Sequence, residues 1–189
     1  RSADVFVHCA ALSSPWGTSE AFHAANVTGT ERAIAMARAS GVRRFVHVST
    51  PSVYFRFSDQ IGLREDAPLP EPVNAYAATK RRAEELVLAC ADLDPAILRP
   101  RGIYGAGDTA LLPRMLKTAR TRALPLMRGG EAATDLTHVD DVVDAIVAAA
   151  RARIADRRTF NISGGVALKV RDVIERAGDR AGVRIRWRK

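Results

Sequence analysis

Short, almost unbroken apolar runs alternate with longer stretches of helical spacing over the first hundred residues. Asp4-Val5-Phe6-Val7-His8-Cys9 and Arg44-Phe45-Val46-His47-Val48-Ser49 read as strands buried on both faces, and Ala96-Ile97-Leu98-Arg99 as a third. Ala10 to Gly17 is loop, punctuated by Pro15. Thr18 or Ser19 can cap a long helix reaching about Ser40, with Phe22, Ala25, Val27, Ala33, Ile34 and Ala37 at roughly helical spacing and Gly41 as its stop. A long loop from Thr50 to Val73 carries four prolines and the aromatics Tyr54, Phe55 and Phe57. Asn74 can cap a helix to about Ala91.

Strand, helix, strand, helix, strand is the signature of a doubly wound parallel sheet. Beyond it the pattern shortens. Gly102 to Gly107 is a turn-rich loop, and Asp108 can cap a helix over Leu111 to Arg120. Strand candidates at Leu124–Met127 and Asp135–His138 precede a helix at Val139 to Ala150, a strand at Thr159 to Ile162 and a helix at Val170 to Ala181. The expected organisation is a sheet domain over residues 1–101 and a smaller α/β lobe over 102–189, interleaved with the sheet near its carboxyl edge.

Composition narrows the class without naming a chemistry. The 189 residues suit one domain or a little more, with 47% hydrophobic and 26% charged residues, an ordinary globular balance. No run approaches the ~18 apolar residues of a membrane span. The net charge of +8 comes from 29 basic residues against 21 acidic ones, and all but four of the basic residues are Arg. Arg43-Arg44, Arg81-Arg82, Arg151, Arg153, Arg157-Arg158, Arg184, Arg186 and Arg188 form no single run and no aromatic-interleaved patch, so they read as solvated surface rather than a nucleic-acid site. Cys9 and Cys90 lack metal or redox spacing and read as buried, reduced thiols of a cytosolic protein. His8 and His47 read as core histidines. His138 with Asp140 and Asp141 reads as helix capping rather than a metal site.

One motif carries chemistry. Tyr76 and Lys80 stand four apart on a helix, which puts both on one face. A free phenol titrates near ~10 and is a poor acid-base group at neutral pH. A nearby ammonium favours the phenolate and lowers that value. Ser49 and Thr50, at the end of a buried strand, offer a hydroxyl to orient a carbonyl oxygen beside the phenol.

Six stretches in order resemble the extended short-chain dehydrogenase/reductase superfamily of NAD-dependent epimerases, dehydratases and 3β-hydroxysteroid dehydrogenase-like enzymes. They are Asp4–Ala11, Asn26–Thr30, Gly41–Tyr54, Tyr76–Glu84, Leu98–Asp108 and His138–Val142. The resemblance implies a Rossmann-type α/β fold and an NAD- or NADP-dependent oxidoreductase. It makes Tyr76 the acid-base, Lys80 its modulator and the holder of the nicotinamide ribose, and Thr50 the hydroxyl on the substrate oxygen, with Ser49 the weaker candidate. Ala10, Ala11 and Leu12 would line the cofactor, with Asn26 and the Pro100–Ile103 turn on its nicotinamide side. No metal is implied.

The resemblance also implies that the chain starts at the family's fourth strand. It would then lack the glycine-rich pyrophosphate turn and the residue that separates NAD from NADP, and by itself would bind cofactor weakly and be inactive. It stops soon after Trp187, where relatives usually continue. Thr134 stands where nucleotide-sugar relatives carry a diphosphate-binding Arg, and the segments 13–17, 49–55 and 98–101 look more like 3β-hydroxysteroid dehydrogenase-like reductases. The expected substrate is therefore a largely apolar 3-oxoacyl or steroid-like ketone or alcohol, with Tyr54, Phe55, Phe57, Ile61 and Leu63 suited to its apolar part. The rivals are a nucleotide-sugar epimerase or dehydratase and a non-catalytic dinucleotide-binding regulator. A cytoplasmic bacterial enzyme acting on a small molecule, with neither nucleic acid nor membrane and with a homodimer allowed, completes the expectation.

Overall fold

A computed structural model describes residues 3–14, 16–152 and 158–188. Pro15, Arg153 and Arg157, read above as loop punctuation and surface charge, lie outside the described residues. Strand β1 (Val5–His8) leads to α1 (Ser19–Phe22), a π-helical segment (His23–Thr28) and α2 (Gly29–Ala39). Then come β2 (Arg44–Val48), a 3₁₀ turn at Pro51–Tyr54, an irregular loop, α3 (Ala75–Leu88) and β3 (Ala96–Pro100). The rest are β4 (Ile103–Tyr104), α4 (Leu112–Thr121), β5 (Leu124–Pro125), β6 (Ala133–Thr134), β7 (Thr137–His138), α5 (Val139–Arg151), β8 (Thr159–Ile162), β9 (Leu168–Lys169), α6 (Val170–Ala181) and β10 (Trp187–Arg188).

Two compact units result. The first joins Arg1–Ser58, Leu63–Pro100 and Val143–Ile162 around a parallel sheet in the order β1-β2-β3-β8. Side chains alternate across it, as period two demands. Phe6, Phe45 and Ile97 face Ile34 and Ala37 of α2 and Val87 of α3. Val46, Ala96 and Leu98 face Ala145, Ile146 and Ala149 of α5 on the other side. In register, Phe6 lies opposite Phe45 with the rings stacked 5.4 Å apart, and His8 lies opposite His47. Helices on both faces of a parallel sheet make a Rossmann-type doubly wound layer.

The second unit joins Asp59–Gly62, Arg101–Val142 and Ser163–Lys189. Its core packs Ala119 of α4, Leu124 of β5, Ile174 of α6 and Val183, with Trp187 against them. The Trp187 indole donates to Glu175 at 2.9 Å, which satisfies its one polar atom. Two-residue strands pair as β4 with β7, β5 with β10 and β6 with β9.

Caps set the helix starts. The Thr18 hydroxyl accepts from the Ala21 amide at 3.2 Å and the Asn74 side chain from the Ala77 amide at 2.8 Å. Gly41, with φ of +65°, follows α2 and ends it. Asn74→Ala is expected to cost about 1 kcal/mol, measured as a lower urea midpoint with unchanged slope.

Several expectations are corrected. The first long helix is interrupted by the π-helical turn, and of Asp135–His138 only Thr137–His138 forms a strand, paired with β4, while Ala133–Thr134 before it pairs with β9. Asp108 accepts from the amides of Ala110, Leu111 and Leu112, and α4 starts at Leu112, one residue later than expected. Arg44 is not surface charge. It is buried, donates to the carbonyls of Ala149 and Ala152 at the end of α5 at 2.7 and 2.8 Å, and pairs with Asp94. Cys90 is buried but Cys9 is exposed, because it lies just past the end of β1; both thiols are free.

Candidate active site

The carboxyl end of β2 supplies the first side chains. The Ser49 amide donates to the Leu98 carbonyl, and the chain then turns into the 3₁₀ segment. The Thr50 hydroxyl caps that turn, accepting from the Ser52 amide at 3.2 Å and donating to the Ser52 hydroxyl at 3.1 Å. The Ser49 hydroxyl is buried and has no partner among the described residues.

Helix α3 crosses this edge. Tyr76 is half-buried, its ring 6.2 Å from that of Phe22. One turn on, Lys80 is only 2% exposed and its ammonium reaches the end of β2. It donates to the Val48 carbonyl at 2.9 Å and to His47 Nε2 at 3.1 Å. Burial pulls its pKa down to about 8, against the opposing pull of Glu84 and Cys9. Burial, reinforced by Lys80, likewise holds His8 below its ordinary value. The structure thus brings Ser49, Thr50 and Lys80 to one strand end.

Asn26 sits in the π-helical turn, 1% exposed. Its amide oxygen accepts from the Leu12 amide at 2.7 Å, and its nitrogen donates to the Leu12 carbonyl and to the Thr79 hydroxyl at 3.1 Å. Asn26 therefore ties the loop after β1 to the helix of Tyr76 and Lys80. In that loop Ala10 and Ala11 are exposed and Leu12 is half-buried. Pro100 is buried at the end of β3 in the sheet unit, whereas Ile103 is 39% exposed in the other unit.

Sequence reasoning missed the buried polar network beneath these residues. Arg99 of β3 pairs in two-pronged fashion with Glu84, which stands one turn after Lys80, with Nε donating to Oε1 at 2.8 Å. Arg99 also reaches the Tyr54 hydroxyl, which donates to Asn161 Oδ1 at 3.2 Å. Asn161, on β8, donates its amide nitrogens to Glu65 and to the Leu63 carbonyl. An arginine inside an otherwise apolar strand was the available signal, since a buried charge requires a partner.

Among the described residues, no cluster of three His, Cys, Asp or Glu side chains could hold a metal ion. His138 Nδ1 accepts from the Asp140 amide at 3.3 Å at the start of α5.

Residues 1–163 match the model of the NAD dependent epimerase/dehydratase family. The chain is 41% identical over 150 residues to the 4-hydroxy-2-methyl-3-oxo-4-farnesyl-3,4-dihydroquinoline-1-oxide ketoreductase of Stigmatella aurantiaca, covering 78% of this chain and 45% of the relative. It is 38% identical over 180 residues to the 2-alkyl-3-oxoalkanoate reductase of Stenotrophomonas maltophilia, covering 90% and 54%. Its fold is similar to that of the UDP-glucuronic acid 4-epimerase from Bacillus cereus in complex with NAD, with a TM-score of 0.81, 26% identity and coverage of 97% and 61%. The chain spans about half the length of the curated relatives it matches. With a doubly wound sheet, the Tyr76–Lys80 helix at its carboxyl edge and a family match over most of its length, the chain belongs to the NAD dependent epimerase/dehydratase family.

Proposed function

We propose that the full-length protein interconverts a keto group and a secondary alcohol on a largely apolar, 3-oxoacyl or steroid-like substrate, using NAD or NADP. The observation that carries this is the buried Lys80 ammonium, fixed at the end of β2 one helical turn from Tyr76. On this reading residues 1–101 belong to the dinucleotide-binding domain and 102–189 to a substrate lobe interleaved with the sheet, which takes α5 and β8 from that stretch. A cytoplasmic bacterial enzyme is the setting; among the described residues no helix is long and apolar enough to cross a membrane.

The residues present fit a nicotinamide dinucleotide. The unpartnered Ser49 hydroxyl and the remaining Lys80 N–H are donors of the kind a ribose or carboxamide accepts, and the exposed alanines 10 and 11 leave the chain after β1 open to close approach. Asn26 supports that loop. Pro100 and Ile103 are proposed for the nicotinamide side. When bound, the cofactor supplies or accepts a hydride at its nicotinamide ring. Tyr76 gives its phenolic proton to the substrate oxygen in reduction and takes it back in oxidation. Lys80 is the proposed modulator of Tyr76 and holder of the nicotinamide ribose, and Thr50, turning its hydroxyl from Ser52, donates a hydrogen bond to the same oxygen.

Substrate class rests on charge and on apolar surface. A nucleotide-sugar diphosphate calls for charge-assisted, preferably bidentate donors. Thr134 offers one neutral hydroxyl, which donates to the Asp135 carbonyl at 3.3 Å, and Arg128, a substitute clamp, is already paired with Asp59 at 2.7 Å. Phe55 and Phe57 form an edge-on pair at 5.1 Å, with Phe57 81% exposed. The two relatives named above as reductases carry keto-substrate names, which supports the same class. Efficiency should rise along a series of lengthening 3-oxoacyl chains, by up to a factor of ~4 per carbon at ~0.8 kcal/mol per buried methylene. The test is a panel of such ketones beside UDP- and dTDP-sugars with both cofactors. Turnover of a nucleotide sugar with every ketone refused would replace this reading by the epimerase.

A further inference from the structure

One of the two acceptors that hold Lys80 is the ring of His47. That ring is fully buried in β2, in register with His8 on one side and Ile97 on the other. The His8 and His47 rings lie 5.2 Å apart. An ammonium has only donors, so the bond at 3.1 Å makes Nε2 the acceptor and leaves the ring proton on Nδ1. Nδ1 is buried with no partner among the described residues. A phenylalanine or leucine would fill the same space without an unpaired polar atom, so the ring is costly unless Nε2 is used.

We propose that His47 is a positioning residue: with the Val48 carbonyl it fixes two of the three N–H bonds of Lys80 and leaves one for a ligand. The inference rests on the assignment of Lys80 as the partner of Tyr76. A single acceptor would let the ammonium pivot about one bond; two acceptors at 2.9 and 3.1 Å set its direction. Burial, Lys80 and His8 all keep His47 neutral, so it stays an acceptor at physiological pH. The titratable groups that act on or touch Lys80 are Glu84 on its own helix, His8 and Cys9 at and just past the end of β1, and His47 on β2, while Tyr76 stands one turn before it on α3. Glu84 and Cys9 favour the cation and burial opposes it. An acceptor bonded to the charged form also favours it, so removing His47 pushes Lys80 further down.

The experiment is an NMR titration of Lys80 Cε in ¹³C-lysine-labelled full-length protein without ligand, its resonance assigned with Lys80→Arg. Wild type should titrate near 8, His47→Phe lower by roughly half a unit or more, and His47→Gln, which restores an acceptor, close to wild type. The alkaline limb of kcat/KM and the affinity for NAD should move in the same order. A purely structural role would change stability and leave the titration in place. His47→Phe titrating as wild type, or His47→Phe and His47→Gln shifting alike, overturns the proposal. If His47→Phe does not fold, His47→Asn, whose amide is too short to reach Lys80, takes its place with the same expected shift. Lys80→Ala separates the two layers: retained turnover removes the Lys80 assignment and this inference with it, whereas lost turnover beside an unshifted His47→Phe removes only the role of His47.

Discussion

Tyr76→Phe in the full-length protein should lower turnover by roughly 10²–10⁴-fold, the contribution typical of a positioned acid-base, with cofactor affinity nearly unchanged. The substitution removes one hydroxyl and keeps the ring, which packs beside Phe22. The helix is held independently, by the Asn74 cap and by the Asn26–Thr79 bond, so its geometry survives the change. Lys80→Ala behaves differently. It empties a site at the end of β2 and should weaken cofactor binding and turnover together, because the proposed role of the ammonium covers both. Steady-state kinetics beside a direct binding titration distinguish the two patterns. Turnover of Tyr76→Phe within a factor of a few of wild type would remove the phenol from the mechanism.

Breaking the Arg99–Glu84 pair should destabilise the sheet unit more than any surface change. Both side chains are about 95% buried, at 5% and 4% exposure. Glu84→Gln removes the counter-charge and leaves a buried guanidinium, an arrangement that typically costs ~3–5 kcal/mol. The double change Glu84→Leu with Arg99→Met removes both charges and should cost much less, since the desolvation of an unpaired ion is no longer present. Chemical denaturation of the two variants decides it. A single variant as stable as the double one would show that the pair is not what holds β3 to α3.

Much of this was readable before any coordinates, and the exceptions share a cause. Thr159–Ile162 and Val170–Ala181 begin and end where their apolar patterns do, because each buries a continuous face. The helix of Tyr76 and Lys80 and the strand end at Thr50 are readable as local structure because an Asn cap and a buried apolar run mark them. The strands β4, β9 and β10 are two residues long and exist only through partners distant in sequence, so no local period announces them. The π-helical turn winds one extra residue into a regular apolar pattern, where Gly29 donates to the Ala24 carbonyl. Arg44 looks like surface charge in sequence, and only the end of α5, more than a hundred residues later, supplies the carbonyls that bury it. His47 looked like an ordinary core histidine, and core it is; its use depends on Lys80, 33 residues away.

The clasp that Asn161 places on the long loop has a consequence for how the protein is made. Its partners Leu63, Glu65 and Tyr54 lie 98, 96 and 107 residues earlier in the chain. Closing so long a span adds only slowly to the entropic cost, but it cannot begin until β8 has left the ribosome. By then β1, β2, β3 and α3 are already outside and free to assemble. For that interval the loop carries Phe55 and Phe57 with no anchor at β8, next to a sheet whose β3 edge is still open. Until β8 docks, the β3 edge of the described sheet stays unpaired, and an unpaired edge invites aggregation and proteolysis.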